Sequence, residues 1–138
     1  MEIELKVETV QSPTAVTILR PQGRVDGSTY ESLIARARQL IEGGAQRLLL
    51  DLGEVSFLSS AGLVALHSIA LMVRGENLPG EQSGWDALYA IGRDSSGKQA
   101  NLKLLNPPEK VLQTLDRAGM TGFFDIFTDE ATALASFA

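Results

Sequence analysis

The run Arg47-Leu48-Leu49-Leu50-Asp51-Leu52 constrains the fold most strongly. It is nearly all apolar, with no alternation that would leave one face wet. Such a strand is buried on both faces, hence central and parallel to a neighbour. Around it the polarity changes period. Ile3, Leu5 and Val7 alternate with Glu2, Glu4, Lys6 and Glu8, the signature of a strand with one solvated face. Gln11-Ser12-Pro13 reads as a turn, and Ala15-Val16-Thr17-Ile18-Leu19 as a β-branched second strand completing a hairpin.

Pro21 to Asp26 leads into a helix, with Ser28 as N-cap and Glu31 at capping-box spacing. Leu33, Ile34, Ala37, Leu40 and Ile41 recur at helical intervals until Gly43-Gly44. Val55-Ser56-Phe57-Leu58 reads as a short extended link. A second helix begins at Ser59 or Ser60, with Leu63, Leu66, His67, Ala70, Leu71 and Val73 on its apolar or mixed face. Asn101 to Leu105 is a further strand. Pro107-Pro108-Glu109 opens a third helix with Val111, Leu112, Leu115 and Ala118 at core spacing and Gly119 as its stop. Phe123, Phe124, Ile126 and Phe127 form a last strand. Asp129-Glu130-Ala131 starts a final helix with its acidic turn at the positive end of the dipole.

The expectation is therefore one α/β domain over 1–138: a mixed sheet of about five strands, an N-terminal hairpin followed by alternating elements, and about four helices. Residues 75–100 stand apart as a long Gly-rich insertion. They hold Gly75, Gly80, Gly84, Gly92 and Gly97, and Trp85, Leu88 and Tyr89 would share a face of any short helix there.

Composition removes whole classes of function. The 138 residues include no cysteine and one histidine, and 12 Lys+Arg stand against 17 Asp+Glu for a charge of −5. No disulfide, thiolate metal site or Cys nucleophile is available, and no metal or cofactor is expected. Nucleic acid is not an expected partner, because phosphate neutralisation needs clustered positive charge. No apolar run reaches the roughly 18–20 residues that span a bilayer, and the charged start does not resemble a signal peptide. A cytoplasmic location is the expectation.

Catalytic readings fail on geometry. Seven residues on one helix separate His67 from Ser60 by about 10 Å of rise, beyond hydrogen-bond reach. His67 is expected to be a half-buried helix residue. The stretch Gly92-Arg93-Asp94-Ser95-Ser96-Gly97-Lys98 lacks the spacing of a phosphate-binding loop. No catalytic residue is assigned. Asp51, at a strand end, is expected to fix the Ser59–Ser60 loop through backbone N–H groups.

The stretch from Leu48 to Leu63, LLLDLGEVSFLSSAGL, resembles the signature of the STAS domain family: an apolar strand ending Asp-Leu, a link to Phe, then Asp-Ser-Ser/Thr-Gly-Leu opening a helix. Gly23-Arg24-Val25-Asp26-Gly27-Ser28 resembles the Gly-x-hydrophobic-Asp segment that precedes the family's first helix. Val111-Leu112 to Leu115, Gly119-Met120, Phe124 to Phe127 and Ala131 resemble its C-terminal tail. The best-known members are bacterial anti-sigma-factor antagonists. The resemblance implies a non-enzymatic signalling domain that binds a serine-kinase anti-sigma factor and is released by phosphorylation. In the family the acceptor is generally the Ser or Thr directly before Gly-Leu, with Asp two residues earlier. Here those positions hold Ala61 and Ser59, which leaves Ser60 and Ser59 as candidate acceptors. The implied partner surface comprises Asp26, Ser28, Ser59, Ser60, Ala61 and Gly62. Two rivals remain: a STAS subunit of a transport or stress-signalling complex without phosphoregulation, and a small enzyme or nucleotide-binding module using a cleft near Asp26 and Ser60. A homodimer is left open.

Overall fold

The structure is a computed structural model, and it describes residues 3–75 and 98–138. The expected insertion, with Trp85, Leu88, Tyr89 and the Gly92–Lys98 stretch, lies outside the described residues apart from its ends and Lys98.

Strands β1 (Glu4–Val10) and β2 (Val16–Val25) pair antiparallel from Glu4↔Gln22 to Val10↔Val16. β2 continues well past Leu19, where the sequence suggested a lead into a helix. Its first half pairs parallel with β3 (Leu48–Asp51) and its last residues pair parallel with β4 (Val55–Leu58). Pro21, which has no N–H to give, falls in the gap between these two parallel ladders, so the strand tolerates it. The register shifts at Gly23/Arg24, where Gly23 takes a φ of +114° that a side chain would resist. The Val55–Leu58 segment is thus a strand and not a link, which raises the sheet to six strands among the described residues. β5 (Leu102–Leu105) and the two-residue β6 (Ile126–Phe127) complete the order β1-β2-β3-β5-β6, with β4 beside the end of β2. β3 is central and parallel to both neighbours, as its apolar run required.

Among the described residues four helices connect and cover the sheet: α1 (Tyr30–Glu42), α2 (Ser60–Val73), α3 (Glu109–Arg117) and α4 (Glu130–Ala135). The first three bury one face, where Leu33, Ala37, Leu66, Ile69, Val111 and Leu115 meet Leu19, Leu48, Leu50 and Leu104. α4 lies on the other, over Val16, Ile18, Leu49 and Leu105. Among the described residues no helix is long and apolar enough to cross a membrane.

Four local expectations change. Ser28 does not cap α1: the helix begins after Thr29, and Asp26 takes the Ser28 donors. Leu112 and Ala118 are exposed, because the inward stripe of α3 is carried by Val111 and Leu115 alone. Phe123 and Phe124 sit in the turn before β6, where Phe124 is buried and the two rings meet edge to face. His67 is buried, not half-buried, with its ring 5.7 Å from that of Phe123.

Candidate functional site

The site is built where β2 and β4 end side by side. Val25 pairs with Leu58, and the N–H of Ser59 donates to the Val25 carbonyl at 3.0 Å, carrying the pairing one residue further. Strand alternation then sorts the side chains. Val25 and Leu58 point into the core, fully or almost fully buried. Arg24, Asp26 and Phe57 take the opposite face, and the Arg24 guanidinium lies 4.3 Å from the centroid of the exposed Phe57 ring. Sequence reading missed this stack. Its only signal is the β2–β4 register, which appears once Val55–Leu58 is recognised as a strand.

Asp26 organises its own turn. Its Oδ1 accepts from the N–H of Ser28 at 2.9 Å and from the Ser28 hydroxyl at 2.7 Å. Its Oδ2 accepts from Arg24 Nε at 3.3 Å. The Ser28 hydroxyl, then the Ser28 N–H, with Arg24 adding to both, hold the carboxyl below the usual carboxylate range. Asp26 is therefore an anion at neutral pH. Thr29, which the sequence did not single out, is buried: its hydroxyl accepts from the Asp26 N–H at 3.0 Å and donates to the Arg24 carbonyl at 2.7 Å.

Ser59 is the N-cap of α2. Its backbone is extended and its Oγ accepts from the N–H of Gly62 at 3.4 Å. Ser60, the first helical residue, is exposed, and among the described residues its hydroxyl makes no hydrogen bond. Ala61 is partly covered. Gly62 is buried, and a Cβ there would lie 2.3 Å from Leu58 Cδ1 and 2.9 Å from the Val25 carbonyl oxygen. The absent side chain lets α2 start directly against the strand ends, which sets how Ser59 and Ser60 are presented.

Asp51 accepts from the Gly53 N–H at 2.9 Å, so it fixes the turn between β3 and β4 and not, as expected, the Ser59–Ser60 loop. It also pairs with Arg20, whose guanidinium reaches Glu8 at 3.0 Å and Glu130 at 2.8 Å. This ties β1, β2, β3 and α4 together on the far face, a network with no local pattern in the sequence. Among the described residues no three potential metal ligands cluster.

The family model described as the STAS domain matches residues 6–78, more than half of the chain and all of the surface just described. The chain belongs to the STAS domain family. Its STAS fold is shared with solved anti-sigma-factor antagonists. One from Mycobacterium paratuberculosis aligns with a TM-score of 0.69 at 18% identity, covering 98% of this chain and 93% of that one. Unphosphorylated SpoIIAA aligns at 0.59 and 20% identity, covering 95% and 93%. Phosphorylated SpoIIAA of Bacillus aligns at 0.53 and 17%, covering 98% and 100%. At these identities the likeness is one of fold. No curated protein matches the chain. The STAS match covers both Asp26 and the Ser59–Gly62 turn.

Proposed function

We propose that this STAS domain works as an anti-sigma-factor antagonist in the cytoplasm, binding a serine-kinase anti-sigma factor rather than catalysing a reaction. The docking surface is Asp26, Ser28, Ser59, Ser60 and Ala61, seated on Gly62. The observation that carries this reading is the exposed Ser60 hydroxyl at the start of α2, on the end of the molecule where the Asp26 turn is preassembled. Ser60 is the favoured acceptor, because the Ser59 oxygen is engaged as a cap.

The chemistry suits a switch. A phosphate on Ser60 would face the positive end of the α2 dipole, so the fold tolerates it. It would also add about −1.5 to −2 charges to a surface that already holds ionised Asp26, repelling a partner that fits the neutral hydroxyl. Hydrolytic chemistry has no support at Ser60: the sole histidine is buried, about two turns along the same helix.

Ala61 favours a second reading. With no hydroxyl at the family's usual acceptor position, the domain would serve as a constitutive binding subunit of a transport or stress-signalling complex.

The test is to incubate the chain with a serine-kinase anti-sigma factor from the same cell and ATP, then measure binding and intact mass. Binding, a single phosphate mapped to Ser60, and loss of binding in Ser60→Asp support the switch. Binding without any adduct selects the constitutive reading. Absence of binding by every such kinase defeats the anti-sigma-factor reading.

A further inference from the structure

Among the described residues the outer edge of β1 is unpaired and carries a regular charge pattern. β1 is the terminal strand of the sheet, paired only with β2 among the described residues. It runs seven residues, long for an edge that has to avoid stray pairing. Its even-numbered side chains, Glu4, Lys6 and Glu8, lie on the α4 face, as the Glu8–Arg20 contact fixes.

Lys6 is the anomaly on this edge. It stands directly across from Arg20 on β2, a like-charge pair that costs stability. Arg20 is compensated by Glu8, Asp51 and Glu130, whereas Lys6 makes no ion pair among the described residues. Glu8, its neighbour on the same face, gives Oε1 to Arg20 and leaves Oε2 uncommitted.

An antiparallel copy of β1 can pair in few ways. Outward-pointing N–H and C=O groups recur at every second residue, so partners share parity and the dyad falls on a residue. Centred on Lys6, the pairing sets Lys6 on Lys6 and Glu4 on Glu8. Centred on Glu8, it sets Glu8 on Glu8. Centred on Leu5, only Glu4 to Lys6 of the strand overlaps. Centred on Val7, all seven residues pair, each Lys6 meets the Glu8 of the other copy, and Leu5 meets Thr9. One register joins full overlap with two ion pairs, and it supplies the anion that Lys6 lacks.

We propose that the chain forms a twofold dimer by antiparallel β1–β1 pairing centred on Val7. The Lys6 that blocks indiscriminate strand addition admits this partner. The Asp26–Ser60 ends of the two copies then point in opposite directions along the strands, so the dimer and the proposed switch are independent. The contact is a strand edge, and its expected stability is that of a weak, salt-sensitive association.

The test is sedimentation equilibrium of the intact chain across a concentration series, alone and as charge variants. Wild type dimerises at high concentration. Lys6→Glu and Glu8→Lys each weaken self-association by about tenfold or more, since each places like charges across the dyad. Mixing the two variants restores both ion pairs and yields a heterodimer, which a mere loss of folding in either would not. Val7→Cys, the lone thiol in a chain with no cysteine, oxidises to a covalent dimer because dyad-related Cα atoms lie about 4.5–5.5 Å apart. A monomer at every concentration, equal dimerisation of all variants, or failure of the mixture to associate overturns the proposal.

Discussion

On one face of the sheet, α1, α2 and α3 cover Leu19, Leu48, Leu50, Leu102 and Leu104 with a continuous apolar layer that includes Leu66 and Ile69. On the other face the small core of Val16, Ile18, Leu49, Leu105 and Ala133 has, among the described residues, one six-residue helix over it. Charge supplements that cover. Buried Lys103 donates to the carbonyl and hydroxyl of Ser136, both at 3.0 Å, and sits 4.8 Å from the Phe137 ring centroid. Arg20 holds Glu130 at the other end of α4. Apolar burial is non-directional and grows with area, so a broad layer needs no polar fastening. A short helix brings little area and is fixed by directional bonds to cations rooted in the sheet.

The difference is open to test. Leu66→Ala on the broad face removes side-chain volume with nothing free to collapse into the space. It should cost about 2–5 kcal/mol in denaturant unfolding, with the whole transition shifted. Loss of stability below about 1 kcal/mol would mean that α2 is not a core element.

Gly62→Ala should follow at about 1–3 kcal/mol, because the new methyl meets both the Leu58 side chain and the rigid Val25 carbonyl. The same variant should displace the start of α2 and weaken partner binding. Wild-type stability with wild-type binding would remove the argument that Gly62 sets the Ser59–Ser60 geometry.

On the thin face, Lys103→Ala should cost about 1–3 kcal/mol. Its distinguishing effect is local: faster amide hydrogen exchange in α4, with the amides of α2 keeping their rank. A Lys103→Met variant as well protected in α4 as wild type would show that packing, not charge, holds this helix.

The smallest effect is the acid response of the two Asx turns. Asp129 caps α4, its Oδ2 accepting from the hydroxyl and the N–H of Thr132, and these bonds hold its carboxyl below the ordinary range, as Ser28 does for Asp26. A carboxyl whose folded pKa is depressed adds stability above its unfolded value, near 3.8, and loses it as pH falls through the lower folded value. The melting temperature should therefore fall on acidification below that point. Asp129→Asn and Asp26→Asn should each flatten the fall, Asp129→Asn chiefly through α4. An unchanged acid profile in both would show that neither turn contributes.

Periodicity alone was enough for much of this architecture. The unbroken Leu48–Leu50 run demanded a central parallel strand, and Ser59 with the apolar residues after it marked α2. The Ser59–Ser60 and Asp26 positions were legible for a similar reason, since a motif read along the chain is a local pattern. What escaped was set by pairing between distant segments. Val55–Leu58 is a strand only because the end of β2 lies beside it, whereas the Ser28 cap failed locally, because α1 starts one residue later, after Thr29. The Arg24–Phe57 stack, the Arg20 network and the Lys103 fastening join residues 12 to 110 positions apart. Local sequence determines which backbone conformation each stretch prefers and which side of it is apolar. Which charged group meets which is decided only when the sheet order closes, because Coulomb and hydrogen-bond energies depend on separation in space, and separation along the chain does not specify it.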